Sequence, residues 1–169
     1  SLNVYTSARN AYFNIDEFRK SDDLYDWGFK KPIIVNDRQQ PNYKELAKLG
    51  IKWYGGADLS IMHDLTAVGL YGEYNGVGIF IPHAFYPRTR ADKMGDDLPT
   101  PVPGWEAEGW PTFTNSEIVE LSDVVRWFIK MRDEYDLDIH TIGYDRYNAR
   151  DFVTELKDND FDVLDIRQS

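Results

Sequence analysis

Two aspartates far apart in the chain, Asp58 and Asp145, each close a stretch that reads as a β-strand. Asp58 follows Lys-Trp-Tyr-Gly-Gly-Ala, and Asp145 ends Ile-His-Thr-Ile-Gly-Tyr-Asp. If the two strands are neighbours, both carboxylates emerge at one rim of the sheet, where open α/β sheets usually place their ligand sites. Two carboxylates held close together repel unless a cation or a proton intervenes. Hard cations such as Mg²⁺ prefer carboxylate oxygen and water. Two such ions about 4 Å apart can activate a water and stabilise a leaving oxygen in phosphodiester cleavage. Gly55, Gly56 and Ala57 have almost no side chain, so a backbone or a ligand could approach closely just before Asp58.

The elements that must position this pair can be read from periodicity and turn chemistry. Three consecutive strands are expected at 51–58, 66–74 and 77–86. Asn75-Gly76 joins the last two, because both residues tolerate positive φ. Runs such as Ile79-Phe80-Ile81 suggest a sheet covered on both faces. Residues 112–115 read as a short edge strand. The best helix spans 121–135, with Leu121, Val124, Phe128, Met131 and Tyr135 at helical spacing and Ser122 as a candidate cap. A strand at 139–145, a helix at 149–157 behind Asn148, and a last strand at 161–166 follow. The later strand–helix–strand unit should be parallel, with its helix as a right-handed crossover. The expected class is α/β, a mixed sheet of three antiparallel strands and then parallel strands, with helices on both faces.

Residues 1–50 read as a lead-in segment rather than core. A short helix at 15–19, an aromatic surface turn around 22–27, an extended stretch at 32–35 and a helix at 43–49 capped by Asn42 and stopped by Gly50 are expected there. The body of the domain is then 51–169. Between 86 and 110, Pro87, Pro99, Pro101 and Pro103 bar helix interiors and central strands.

Composition sets outer bounds. With 169 residues, 42% hydrophobic and 15% aromatic, the chain can build a real core. No apolar run approaches the roughly 20 residues a membrane span needs. The absence of cysteine excludes disulfides and thiolate metal sites. A net charge of −10 weighs against autonomous nucleic-acid binding, since phosphates are held mainly by Lys and Arg.

Three stretches together carry a family resemblance. Gly56-Ala57-Asp58-Leu59-Ser60 with Asp64-Leu65-Thr66-Ala67 resembles the opening of the nuclease domain of tailed-bacteriophage terminase large subunits. So do Trp105 and Gly109-Trp110-Pro111-Thr112-Phe113-Thr114, and then Ile142-Gly143-Tyr144-Asp145-Arg146-Tyr147-Asn148-Ala149 with Ile166-Arg167-Gln168. The matches come in the family's order over about two thirds of the chain. The resemblance implies a ribonuclease H-like fold and a metal-dependent endonuclease that cuts concatemeric double-stranded viral DNA in the cytoplasm of a bacterial host. Asp58 and Asp145 would be its catalytic metal ligands and Mg²⁺ or Mn²⁺ its cofactor, with Asp64 a further ligand, a cap of the turn or the orienter of a water. The expected partners are DNA and, in a longer protein, an ATPase motor domain, the portal and a small terminase subunit. No Gly-x-x-x-x-Gly-Lys-Ser/Thr phosphate loop is present, so the chain reads as a piece of that longer protein. It would be truncated ahead of the family's third metal-binding aspartate.

Other residues have two readings each. Arg146 and Asn148 flank Asp145 and could touch DNA, or form a salt bridge and a helix cap. Arg88, Arg90 and Lys93 could contact DNA or line a solvated loop. Tyr144 and Tyr147 could stack on bases or pack in the core. Asp162 and Asp165 match no motif. Another ribonuclease H-like enzyme, such as a resolvase or an integrase, and an inactive docking module of a packaging motor are the alternatives to the terminase reading.

Overall fold

The computed structural model describes residues 42–59, 66–89, 111–145 and 149–166. The expected elements at 15–19, 22–27 and 32–35 lie outside them. In chain order the described elements are α1 (Tyr43–Ala47), β1 (Lys52–Ala57), β2 (Thr66–Tyr74), β3 (Val77–Pro87), β4 (Pro111–Thr114), α2 (Leu121–Asp133), β5 (Asp138–Tyr144), α3 (Arg150–Asp158) and β6 (Val163–Asp165). They form a six-stranded sheet in the order β4-β3-β2-β1-β5-β6. β1, β2 and β3 are a meander of antiparallel neighbours. β3/β4, β1/β5 and β5/β6 pair in parallel. This mixed sheet with its helices is consistent with the α/β class read from the sequence and with the ribonuclease H-like fold that the resemblance implies.

The β2–β3 hairpin closes through Asn75 at φ 50° and Gly76 at φ 77°, the positive pair that matches the twist of the flanking strands. α1 is capped by the Asn42 side chain, which accepts from the Glu45 N–H at 3.4 Å. It is shorter than the sequence suggests: Lys48 is its C-cap and Gly50, at φ 68°, turns the chain into β1. α2 is capped by Glu120 and not Ser122. The Glu120 N–H donates to the Asp123 carboxylate at 3.1 Å, while the Ser122 hydroxyl turns back to the Glu120 carboxylate. α3 begins one residue later than expected, with Ala149 as its N-cap.

The connections β4–α2–β5 and β5–α3–β6 step in the same direction along the sheet. Right-handed crossovers of that kind put both helices on one face. Phe128 of α2 and Phe152 and Leu156 of α3 share a single buried cluster with Leu46, Trp53, Leu70, Ile81 and Phe85. Each such side chain gains roughly 1.5–3 kcal/mol on leaving water. The stripe expected on α2 is largely core, and Val125 and Trp127 join it. Helices were expected on both faces. The three described helices pack into this one cluster, and the opposite face exposes Tyr54, Tyr71 and Phe80, at 44%, 49% and 56%.

Candidate active site

β1 and β5 lie side by side and run parallel, with Gly55 opposite Ile142, Gly56 opposite Gly143 and Ala57 opposite Tyr144. Asp58 and Asp145 are the next residues on their strands, so the register brings the two aspartates level at the carboxyl edge of the sheet. Neighbouring strands are about 4.8 Å apart, close enough for two carboxylates to share one cation. The Asp58 N–H donates to the Ala67 carbonyl at 3.0 Å, which prolongs the β1–β2 ladder and fixes the backbone that carries this carboxylate. Asp58 is exposed and Asp145 half-buried.

Strand alternation sets which way the pair points. A Cβ on Gly55 would meet Phe128 at 2.8 Å and Ile142 at 2.9 Å, so that position faces the helices. A Cβ on Gly56 would meet none of the described residues within 4 Å, and strand alternation turns it to the opposite face. Asp58 falls on the face of Gly56, and Asp145 on the face of Gly143. Gly69, Gly56 and Gly143 stand in register across β2, β1 and β5. The Phe80 ring lies over the first and Ile166 over the third, while no described residue covers the middle one. Among the described residues, the carboxylates therefore rise beside a floor with no side chain over Gly56. The sequence marked Gly55 and Gly56 as a place of close approach. The structure divides their tasks: Gly55 admits the Phe128 ring, and Gly56 leaves space beside the aspartates. Gly69 and Gly143 carried no signal of their own, because their alignment exists only once the strands pair.

The remaining sequence candidates separate. Asp64, Arg90, Lys93, Arg146 and Asn148 lie outside the described residues. Arg88 follows β3 at the same carboxyl edge, with its guanidinium over the Phe113 ring at 5.5 Å. Tyr144 is half-buried and packs against the core cluster. Asp165 is level with Tyr144 rather than with Asp145, and so falls on the helix side of the sheet. Asp162 uses its backbone, its carbonyl accepting from the Ile142 N–H at 2.9 Å and from the Thr141 hydroxyl at 3.2 Å. Among the described residues, no group of three or more His, Cys, Asp or Glu side chains could hold a metal ion. The Asp58–Asp145 couple is a pair, and a cation there would need water or a further oxygen donor to complete its shell.

A family model, that of the terminase large subunit endonuclease domain, matches residues 40–169. The chain belongs to the terminase large subunit endonuclease domain family. A curated relative, the terminase large subunit of Enterobacteria phage HK97, is 30% identical over 102 residues, which cover 60% of this chain and 20% of that protein. The crystal structure of the HK97 bacteriophage large terminase superposes with a TM-score of 0.59 at 21% identity, over 99% of this chain and 39% of the other. That likeness is one of fold. This terminase nuclease domain thus spans a fifth of the length of its curated relative. Among its described residues no helix is long and apolar enough to cross a membrane.

Proposed function

We propose that this terminase nuclease domain is a metal-dependent endonuclease that cleaves concatemeric double-stranded DNA, with Asp58 and Asp145 as its metal-binding pair. The observation that carries the reading is the β1/β5 register, which sets these two residues level at the carboxyl edge of the sheet. Their carboxylate oxygens suit Mg²⁺ or Mn²⁺. When bound, a two-ion centre supplies an activated water and neutralises charge on the leaving oxygen. The chain's own residues do the rest. Asp58 and Asp145 present acceptors on one face, Asp64 is assigned the role of a third acceptor or of orienting the water, and the floor at Gly56, which no described residue covers, leaves room for a sugar-phosphate backbone beside them.

The net charge of −10 leaves little general attraction for a polyanion. Local phosphate contacts fall to Arg88, with Arg90, Lys93, Arg146 and Asn148 assigned the same task. Most of the hold on DNA is assigned to the partners of a packaging assembly in the host cytoplasm: an ATPase motor domain, the portal and a small terminase subunit.

Incubation of the 169-residue chain with supercoiled plasmid and Mn²⁺ tests this. Nicking that disappears in Asp58→Asn and in Asp145→Asn supports it; nicking that survives both substitutions refutes the assignment. A second reading, a docking module inactive by itself, draws on the two-carboxylate rather than three-carboxylate cluster among the described residues. It predicts Mn²⁺ binding, lost in Asp145→Asn, without cleavage.

A further inference from the structure

We propose that His83 is a neutral latch that holds the edge strand β4 against α2, and that protonation of its ring releases β4 locally. β4 has four residues and, among the described residues, one neighbouring strand, so few backbone bonds retain it. Besides the contacts of Phe113 with Tyr86 and Arg88, a side-chain hydrogen bond comes from His83, whose Nε2 lies 2.7 Å from the Thr112 hydroxyl of β4. The same imidazole stacks on Trp127 of α2, with ring centres 5.3 Å apart and planes 15° apart, and meets the Phe85 ring edge-on at 5.1 Å. One side chain of β3 therefore ties the edge strand to the helix.

A charged ring is unwelcome in this place. Burial, and then the Lys130 ammonium one turn beyond Trp127, push the His83 pKa down to about 4. Among the described residues, β2 opposes His83 with Val68, β3 flanks it with Phe85 and Ile81, and β4 brings Thr112; Lys130 of α2 is the charged group acting on it. A form with β4 detached and the ring in water would titrate near the ordinary 6.5. The open form then takes a proton that the closed form refuses, so opening is favoured by about tenfold per pH unit between those two values. β4 also carries Phe113, which seats the Arg88 guanidinium and packs on Tyr86 at 6.3 Å. Release of β4 removes that seat. The latch stands independently of the nuclease reading.

Hydrogen exchange on the full 169-residue chain, corrected for intrinsic amide chemistry, tests it. Between pH 6.5 and 4 whichever of the adjacent β4 amides, Phe113 or Thr114, points to β3 and is protected at pH 7 should open about tenfold more per unit, while the β1 amides of Tyr54 and Gly55 hold steady. His83→Gln keeps a hydrogen-bonding group that does not titrate, so its β4 profile should be flat. A flat profile in the unmodified chain, a slope that survives His83→Gln, or β1 and β4 opening together would each overturn the latch. Thr112→Val gives an independent check should His83→Gln not fold. It should raise β4 exchange already at pH 7, and unchanged exchange there would also overturn the proposal.

Discussion

The two faces of the central β1–β5 pair are built on opposite principles. Toward the helices, Gly55 exists because the Phe128 ring and Ile142 occupy the space a side chain would need. Toward the opposite side, no described residue stands within 4 Å of a Cβ on Gly56, and two aspartates lie beyond it. One glycine serves packing and its neighbour serves access. The same contrast runs across the sheet. The covered face buries Trp53, Leu70, Ile81 and Phe85, whereas the open face exposes Tyr54, Tyr71 and Phe80 in register. Stability is concentrated on one side and candidate chemistry on the other, so substitutions on the two faces should separate the two properties.

The largest separation is expected at the carboxylates. Asp58→Asn should reduce Mn²⁺-dependent plasmid nicking to background with little change in the thermal midpoint, since an exposed isostere disturbs no packing. A large drop in midpoint would instead make Asp58 structural. Phe128→Ala should do the reverse and cost about 3–5 kcal/mol in urea unfolding, because a fully buried ring leaves a cavity. Gly55→Ala should cost about 1–3 kcal/mol, as its methyl must displace Phe128 and Ile142. Gly56→Ala, one residue on, should be neutral or stabilise by up to about 1 kcal/mol; equal losses at both positions would erase the contrast between the faces. Phe80→Ala on the open face should stay within about 1 kcal/mol.

Acid should act through the covered face. Because the folded pKa of His83 is depressed to about 4, its contribution is complete above pH 6.5 and is lost as pH falls toward 4. The full loss is roughly 3 kcal/mol at most, read as the difference between the stability–pH profiles of the unmodified chain and His83→Gln.

Element types were legible because their signals are local. Asn75-Gly76 fixed the hairpin by backbone preference, and the Leu121–Tyr135 spacing marked α2 by its 3.6-residue period. Helix ends were less legible. Glu120 outcompetes Ser122 as the cap because Asp123 stands three residues on to answer it, and α1 stops at Ala47 before its expected end. β4 was foreseen as an edge strand, but its parallel pairing with β3 depends on how the chain returns to the sheet. Nothing in the neighbourhood of His83 announced its half-buried place, since Thr112 and Trp127 reach it from other elements.

The sequence by itself determined which carboxylates follow strands, where the chain turns, and which helical stripe is apolar. Those are properties of a few consecutive residues and their backbone preferences. Only the tertiary structure decided that β5 lies beside β1 in this register, and therefore that Asp58 and Asp145 stand level on one face. It alone decided that Gly55 packs while no described residue stands over Gly56. A parallel pair joined through a distant helix has no turn to set its register. The alignment is fixed by where Phe128, Ile142 and Trp53 find room to pack, and that is settled when the whole core closes at once.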